Sequence, residues 1–272
     1  MSDATTSSTA IRRAFPTLLK IGAAENLAYR AEFVVWMLTG TMPLIMLALW
    51  TTVAGEGAFG RYSSDDFVAY YLAMMVTRQL TGSWVVWQID DEVRTGILSL
   101  RLLRPIHPFV TYAALHLSAL PVRALVSVPL ALILLASSAA DDLTRDWLQW
   151  ALFPVALAGS WLIGFFIMIA LGTVSFWVER AYAIFDIYLA ASGIVSGYLV
   201  PLELMPGWVQ TLAAALPFRY MVAYPVELVT GSYDRGDAFV NLGLQWAFVV
   251  GTGVVALALW RRGVRRFEAF GS

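Results

Sequence analysis

Six separate apolar runs leave this chain little choice of fold. They cover about 33–53, 67–87, 109–137, 147–177, 181–200 and 239–260, each near the roughly 20 residues that a bilayer core demands. Inside hydrocarbon a segment must satisfy its own N–H and C=O groups, so such runs are helices. Composition agrees: 59% of residues are hydrophobic and only 14% charged, against about 25% charged in soluble domains. The expectation is an all-α integral membrane protein with six transmembrane helices. Pro43 should kink the first run. The third run is longer than a bilayer requires, so a tilt or a bend at Pro121 or Pro129 is expected.

What lies between the runs is more specific. Residues 90–105 carry three acids and three arginines between two apolar runs. Val93, Ile97 and Leu100 follow the i, i+4, i+7 spacing of one helix face, and Arg94 and Arg101 fall together on another. This predicts a short helix lying along the membrane, with apolar anchors, two charge contacts, and Gly96 for close backbone approach. A second amphipathic stretch, 11–30, mixes Arg12, Arg13, Lys20 and Arg30 with Ile11, Phe15, Leu18, Leu19 and Leu27. It fits an interfacial helix whose basic side chains meet lipid headgroups. Residues 1–10 read as a disordered tail, and 11–272 as a single membrane domain.

The run over 206–229 contains Pro217, Arg219, Pro225 and Glu227. A full span with two prolines and two charges is disfavoured. Two half-helices that dip in and return to the same side fit better. Six spans then put both termini on one side, and the charges choose which. Twelve of the 18 Lys and Arg residues fall on the side of the termini and four on the other, with Arg78 and Arg123 inside spans. The positive-inside rule makes both termini and the segment 90–105 cytoplasmic, in a bacterial-type cytoplasmic membrane.

Little in the sequence suggests catalysis. His107 and His116 are nine residues apart and, on one helix, fall on opposite faces. No phosphate loop is present, so nucleotide hydrolysis belongs to another chain. Gly193 and Gly197 have the spacing of a small-residue packing face. A net charge of −1 gives no reason to expect nucleic acid as a partner. Arg78 and Arg123 sit near mid-span, where a charge costs about 2.5–3.5 kcal/mol on insertion scales. They either line a transport pathway, or pair with carbonyls or an acid such as Asp186, or snorkel.

Two stretches carry a family likeness. Glu92-Val93-Arg94-Thr95-Gly96-Ile97-Leu98, followed by Leu102-Leu103-Arg104-Pro105-Ile106-His107-Pro108, resembles the first coupling helix of the permease subunit of type-two ATP-binding-cassette (ABC) exporters. Gly197-Tyr198-Leu199-Val200-Pro201-Leu202, with Met205-Pro206-Gly207-Trp208 and Leu216-Pro217-Phe218-Arg219-Tyr220, resembles the signature before that class's external re-entrant helices. The resemblance implies a transport subunit that is not itself an enzyme and binds no cofactor. A second permease, identical or homologous, would share its pathway. ATP would act on a separate ABC-type ATPase dimer, coupled through Glu92, Val93, Arg94, Thr95, Gly96, Ile97, Leu100 and Arg101. The alternatives are an intramembrane enzyme acting on lipid or peptide, and a non-transporting scaffold.

Overall fold

The computed structural model describes residues 8–28, 42–55, 57–178 and 182–270. The start of the expected first span (33–41) and the Glu179-Arg180 turn lie outside the described residues. Helix α1 (Ser8–Ala28) begins inside the stretch expected to be a tail. Then come α2 (Met42–Gly55), α3 (Ser64–Thr81), α4 (Val85–Thr95), α5 (Ile97–Leu102), α6 (Pro108–Ser118), α7 (Leu120–Ala136) and α8 (Trp147–Thr173). The chain closes with α9 (Tyr182–Val195), α10 (Gly207–Ala215), α11 (Phe218–Met221), α12 (Ala223–Val229) and α13 (Arg235–Phe270). Among the described residues two helical stretches, Trp147–Phe176 and Arg235–Phe267, are long and apolar enough to cross a membrane. A third qualifies if α6 and α7 count as one span bent by 42°.

Proline and glycine place most of the breaks. The bend between α6 and α7 falls at Ala119, two residues before Pro121, which sits in the first turn of α7, where a missing N–H costs nothing. Pro43 lies in the first turn of α2 as described, and the expected kink there involves preceding residues outside the described ones. The expected second span is not one helix. It divides into α3 and α4 across Gly82, Ser83 and Trp84, and α4 then runs on into the segment expected to be a separate helix.

Helices α8 and α13 form the backbone of the packing. They run parallel and close. A Cβ on Gly159 would meet Gln245 at 2.6 Å, one on Gly253 would meet Phe166 at 3.1 Å, and one on Gly263 would strike Phe176. Both helices therefore start at the same end of the molecule, which is acidic (Asp65, Asp66, Asp141, Asp142, Asp146). Both finish at the end carrying Arg101, Arg104, Arg261 and Arg262.

The chain between them returns to the acidic end before α13 begins. Arg61 pairs with Glu203, Thr144 N–H donates to the Val229 carbonyl at 2.8 Å, and Arg235 pairs with Asp146 at 2.6 Å. From that end the 207–229 stretch reaches inward, as three short helices rather than two. The Tyr220 carbonyl accepts from Ser160 Oγ at 3.0 Å and from Gln245 Nε2 at 2.9 Å, about 20 Å along α8 from Trp147 at 1.5 Å per residue. Buried Ser160 and Gln245 thus supply donors to a carbonyl that water does not reach.

Candidate functional site

The segment singled out by sequence folds as a braced hairpin. Helix α4 stops at Thr95 because Gly96 adopts φ +76°, a left-handed conformation that favours glycine, and α5 starts immediately after it. A Cβ on Gly96 would meet nothing within 4 Å, so within this chain the glycine serves conformation rather than close approach. The turn breaks the helical register, and the single face expected from Val93, Ile97 and Leu100 is not formed. Val93 packs with the core cluster of α4, α6, α8 and α13. Ile97, Leu100 and Leu103 instead make an outward strip, 48%, 65% and 81% exposed, while Leu98 anchors α5 from beneath at 0%.

The charges separate as well. Arg94 reaches back to Asp90 at 2.8 Å with its side chain half exposed, and Thr95 Oγ1 donates to the Asp91 carbonyl. Arg101 folds inward. Its Nε donates to Glu92 Oε2 at 2.8 Å, its Nη2 donates to Oε1, and its guanidinium lies over the Tyr112 ring at 4.7 Å. Glu92 is buried and also accepts from Tyr112 Oη at 2.7 Å and Gln88 Nε2 at 3.2 Å. One carboxylate thereby joins α4, α5 and α6. Helical spacing does not predict this, because a nine-residue separation becomes a contact only when the chain doubles back.

The hairpin rests on an aromatic floor. Tyr112 and Phe109 meet Trp260 edge-on, and Trp260 in turn meets Phe176. His107 caps α6, its Nδ1 accepting from the Phe109 N–H at 3.3 Å. The imidazole is therefore neutral with its proton on Nε2. Burial, and next the charge of Arg261, hold its pKa below the ordinary histidine value.

The two mid-span arginines take different positions. Arg123 is buried, and its Nη1 donates to the Gly82 carbonyl at the break between α3 and α4. Arg78 is exposed on this chain, its guanidinium 4.1 Å over the Tyr198 ring. Neither has a carboxylate within ion-pair distance among the described residues, and Asp186 is not paired with either. Gly193 and Gly197 do not make one packing face. Gly197 lies beyond the end of α9 with φ +82°, where a Cβ would meet Tyr70 Oη at 2.6 Å, whereas Gly193 has only Leu199 at 4.0 Å.

The acidic end carries a polar cluster that sequence reasoning did not assemble. Arg219 donates to Glu227 at 3.1 Å and to Tyr233 Oη at 2.8 Å, and Tyr233 also donates to Glu227. It ties α11 to α12 and to the loop before α13. Burial and the neighbouring Glu227 carboxylate raise the Tyr233 pKa. No group of three or more His, Asp or Glu side chains gathers to hold a metal among the described residues. A family model described as ABC-2 family transporter protein matches residues 36–271. A search of curated proteins returns no match.

Proposed function

The chain belongs to the ABC-2 family of transporter proteins, and from this premise we propose that it is the membrane-spanning subunit of an ATP-driven exporter. It forms a substrate pathway with a second permease and takes its energy from a separate ATPase dimer. The observation that carries this is the exposed apolar strip Ile97, Leu100 and Leu103 on a hairpin braced by buried charges. Exposing three large apolar side chains is costly unless a partner covers them. Bracing the hairpin is useful if it must transmit force.

The roles within the segment divide accordingly. Ile97 and Leu100, with Leu103, contact the ATPase, and Arg94 and Thr95 border that contact. Gly96 sets the turn, while Glu92, Val93 and Arg101 hold the hairpin to α6. Closure of the ATPase pushes on α5, and the Glu92–Tyr112 bond passes the displacement to the third span. Arg78, and not the buried Arg123, lines the pathway. Six crossings, with 207–229 re-entrant from outside and both termini cytoplasmic, are supported by the parallel course of α8 and α13 and by the arginines gathered at one end.

Co-purification of the ATPase subunit with the full chain tests the assignment. Leu100→Glu is expected to abolish recovery of the ATPase while leaving expression and melting temperature unchanged. Undiminished recovery in Leu100→Glu and in Ile97→Glu would refute it.

A further inference from the structure

Helix α13 is uncharged over residues 238–260 and then carries Arg261, Arg262, Arg265 and Arg266. The uncharged part is about 34 Å long at about 1.5 Å per residue, close to the roughly 30 Å of a bilayer's hydrocarbon core. The arginines therefore begin where hydrocarbon ends. The neighbouring helix puts the boundary at the same height. Trp147 and Trp177, both exposed, lie about 45 Å apart along α8 and its short continuation. That separation matches the ~40–45 Å of a bilayer with its headgroups, whose two interfaces tryptophan favours. Gly263 abuts Phe176, the residue before Trp177.

The arginines also share a face with the part of α13 that this chain leaves uncovered. Val240, Leu244, Val250, Val254 and Val255 are exposed and occupy a sector of about 140° around the helix, at about 100° per residue. Arg261, Arg262 and Arg265, exposed as well, project into that same sector. The opposite face, with Trp260, Gly263 and Phe267, packs on the rest of the chain. An apolar stripe that ends in arginines at headgroup height is the profile of a surface turned toward lipid.

This concentration of charge has no counterweight within the helix. Arg261 with Arg265, and Arg262 with Arg266, are like-charged pairs at i,i+4, which oppose helix formation. None of Arg261, Arg262 and Arg265 has an ion-pair partner among the described residues, and beyond its first turn α13 has a single acid, Glu268. The helix dipole does not call for the arginines either. Its favourable effect is confined to the last turn, which holds no basic residue. A negatively charged surface beside the helix removes the repulsion.

We propose that the Arg261–Arg266 face of α13 is a docking surface for anionic phospholipid headgroups in the leaflet at that end of the molecule. The guanidinium groups donate charge-assisted hydrogen bonds to the phosphate oxygens, a geometry that suits arginine better than lysine. The acyl chains lie along Val250, Val254 and Val255.

The proposal needs the chain to span a membrane but not to couple to an ATPase, so it fails separately from the exporter reading. Purified full chain in neutral detergent is titrated with phosphatidylglycerol, phosphatidylcholine or glycerol phosphate, and the concentration giving half-maximal thermal stabilisation is measured. Phosphatidylglycerol is expected to act at the lowest concentration, with an effect that weakens as salt is raised. Each of Arg261→Gln, Arg262→Gln and Arg265→Gln should raise its half-maximal concentration about 5-fold, and the three combined about 100-fold, the value of one basic side chain against an anionic leaflet taken once or three times. Arg261→Lys, Arg262→Lys and Arg265→Lys combined should keep most of the affinity. Arg145→Gln, at the acidic end and also exposed, should match wild type. If the combined glutamine variant does not insert, the single variants decide. Equal stabilisation by phosphatidylcholine, or an unchanged value in the single variants, would overturn the proposal. So would stabilisation by glycerol phosphate at the same concentration, which makes the site one for soluble anions. Loss of ATPase recovery in these variants with lipid binding unchanged would assign the face to a protein partner and overturn it too.

Discussion

Replacing Glu92 by alanine should free the α4–α5 hairpin. The carboxylate is 4% exposed and accepts four hydrogen bonds, two from Arg101 and one each from Gln88 and Tyr112. Arg101 keeps 15% of its side chain exposed, so the pair counts as buried. Removing one member of a buried ion pair costs about 3–5 kcal/mol, chiefly because the remaining charge stays desolvated. Arg101 can reach water by swinging outward with α5, so the lower figure applies. At about 1.4 kcal/mol per tenfold, 3 kcal/mol raises the open population of the hairpin roughly 100-fold.

Limited trypsin digestion reads that population directly, because Arg101 is itself the scissile residue and is shielded in the closed hairpin. Purified Glu92→Ala should be cut after Arg101 about 100-fold faster than wild type, provided opening is fast relative to cleavage. Glu92→Gln, which keeps an acceptor for Tyr112, should be intermediate. Asp91→Ala, on the exposed side of the same helix, should match wild type. A wild-type cleavage rate in Glu92→Ala would refute the claim that this carboxylate holds the hairpin shut.

Gly96→Ala must place a Cβ at φ +76° and should destabilise the same hairpin by about 1–2 kcal/mol, seen as a roughly tenfold faster cleavage after Arg101. Gly197→Ala combines φ +82° with a Cβ 2.6 Å from Tyr70 Oη, whose hydroxyl donates to the Gly197 carbonyl. A loss of about 2–4 kcal/mol is expected from thermal unfolding. His107 is neutral in the folded chain with its pKa held down by burial, so protons favour the unfolded state. Its contribution is complete above the unperturbed value near pH ~6.5 and declines as pH falls below it. Melting temperature measured from pH 8 to 5 should fall less in His107→Asn, which retains a capping side chain.

Element positions were legible where proline, glycine and apolar periodicity act locally, and much less where the chain contacts itself at a distance. The apolar run over 147–177 corresponds to α8 and its short continuation, because an uninterrupted run permits one conformation. The bend beside Pro121 has an equally local cause. Segment 90–105 was recognisable as special, yet its faces were misassigned. Helical periodicity holds only up to a left-handed residue, and Gly96 resets it. Glu92–Arg101 and Arg219–Glu227 then follow from chain reversals that no periodicity encodes. The split of the second span at Gly82-Ser83 had a signal, a glycine-serine pair inside an apolar run. Its partner, Arg123 from another helix, did not.

Helix α13 has 36 residues and no proline, about 54 Å of unbroken rod. It is tied at its first turn by Arg235 to Asp146 and near its far end by Trp260 and Phe267 against Phe176. With α8, which carries one internal proline, Pro154, beside it in close parallel contact, this pair is braced along its length, whereas α3–α4 and α6–α7 each carry a built-in joint. On the proposed exporter reading, the molecule would divide mechanically into a stator and a moving arm. A push delivered at α5 would be spent at Gly82–Trp84 and Ala119, with the α8–α13 post as the reference against which both joints turn.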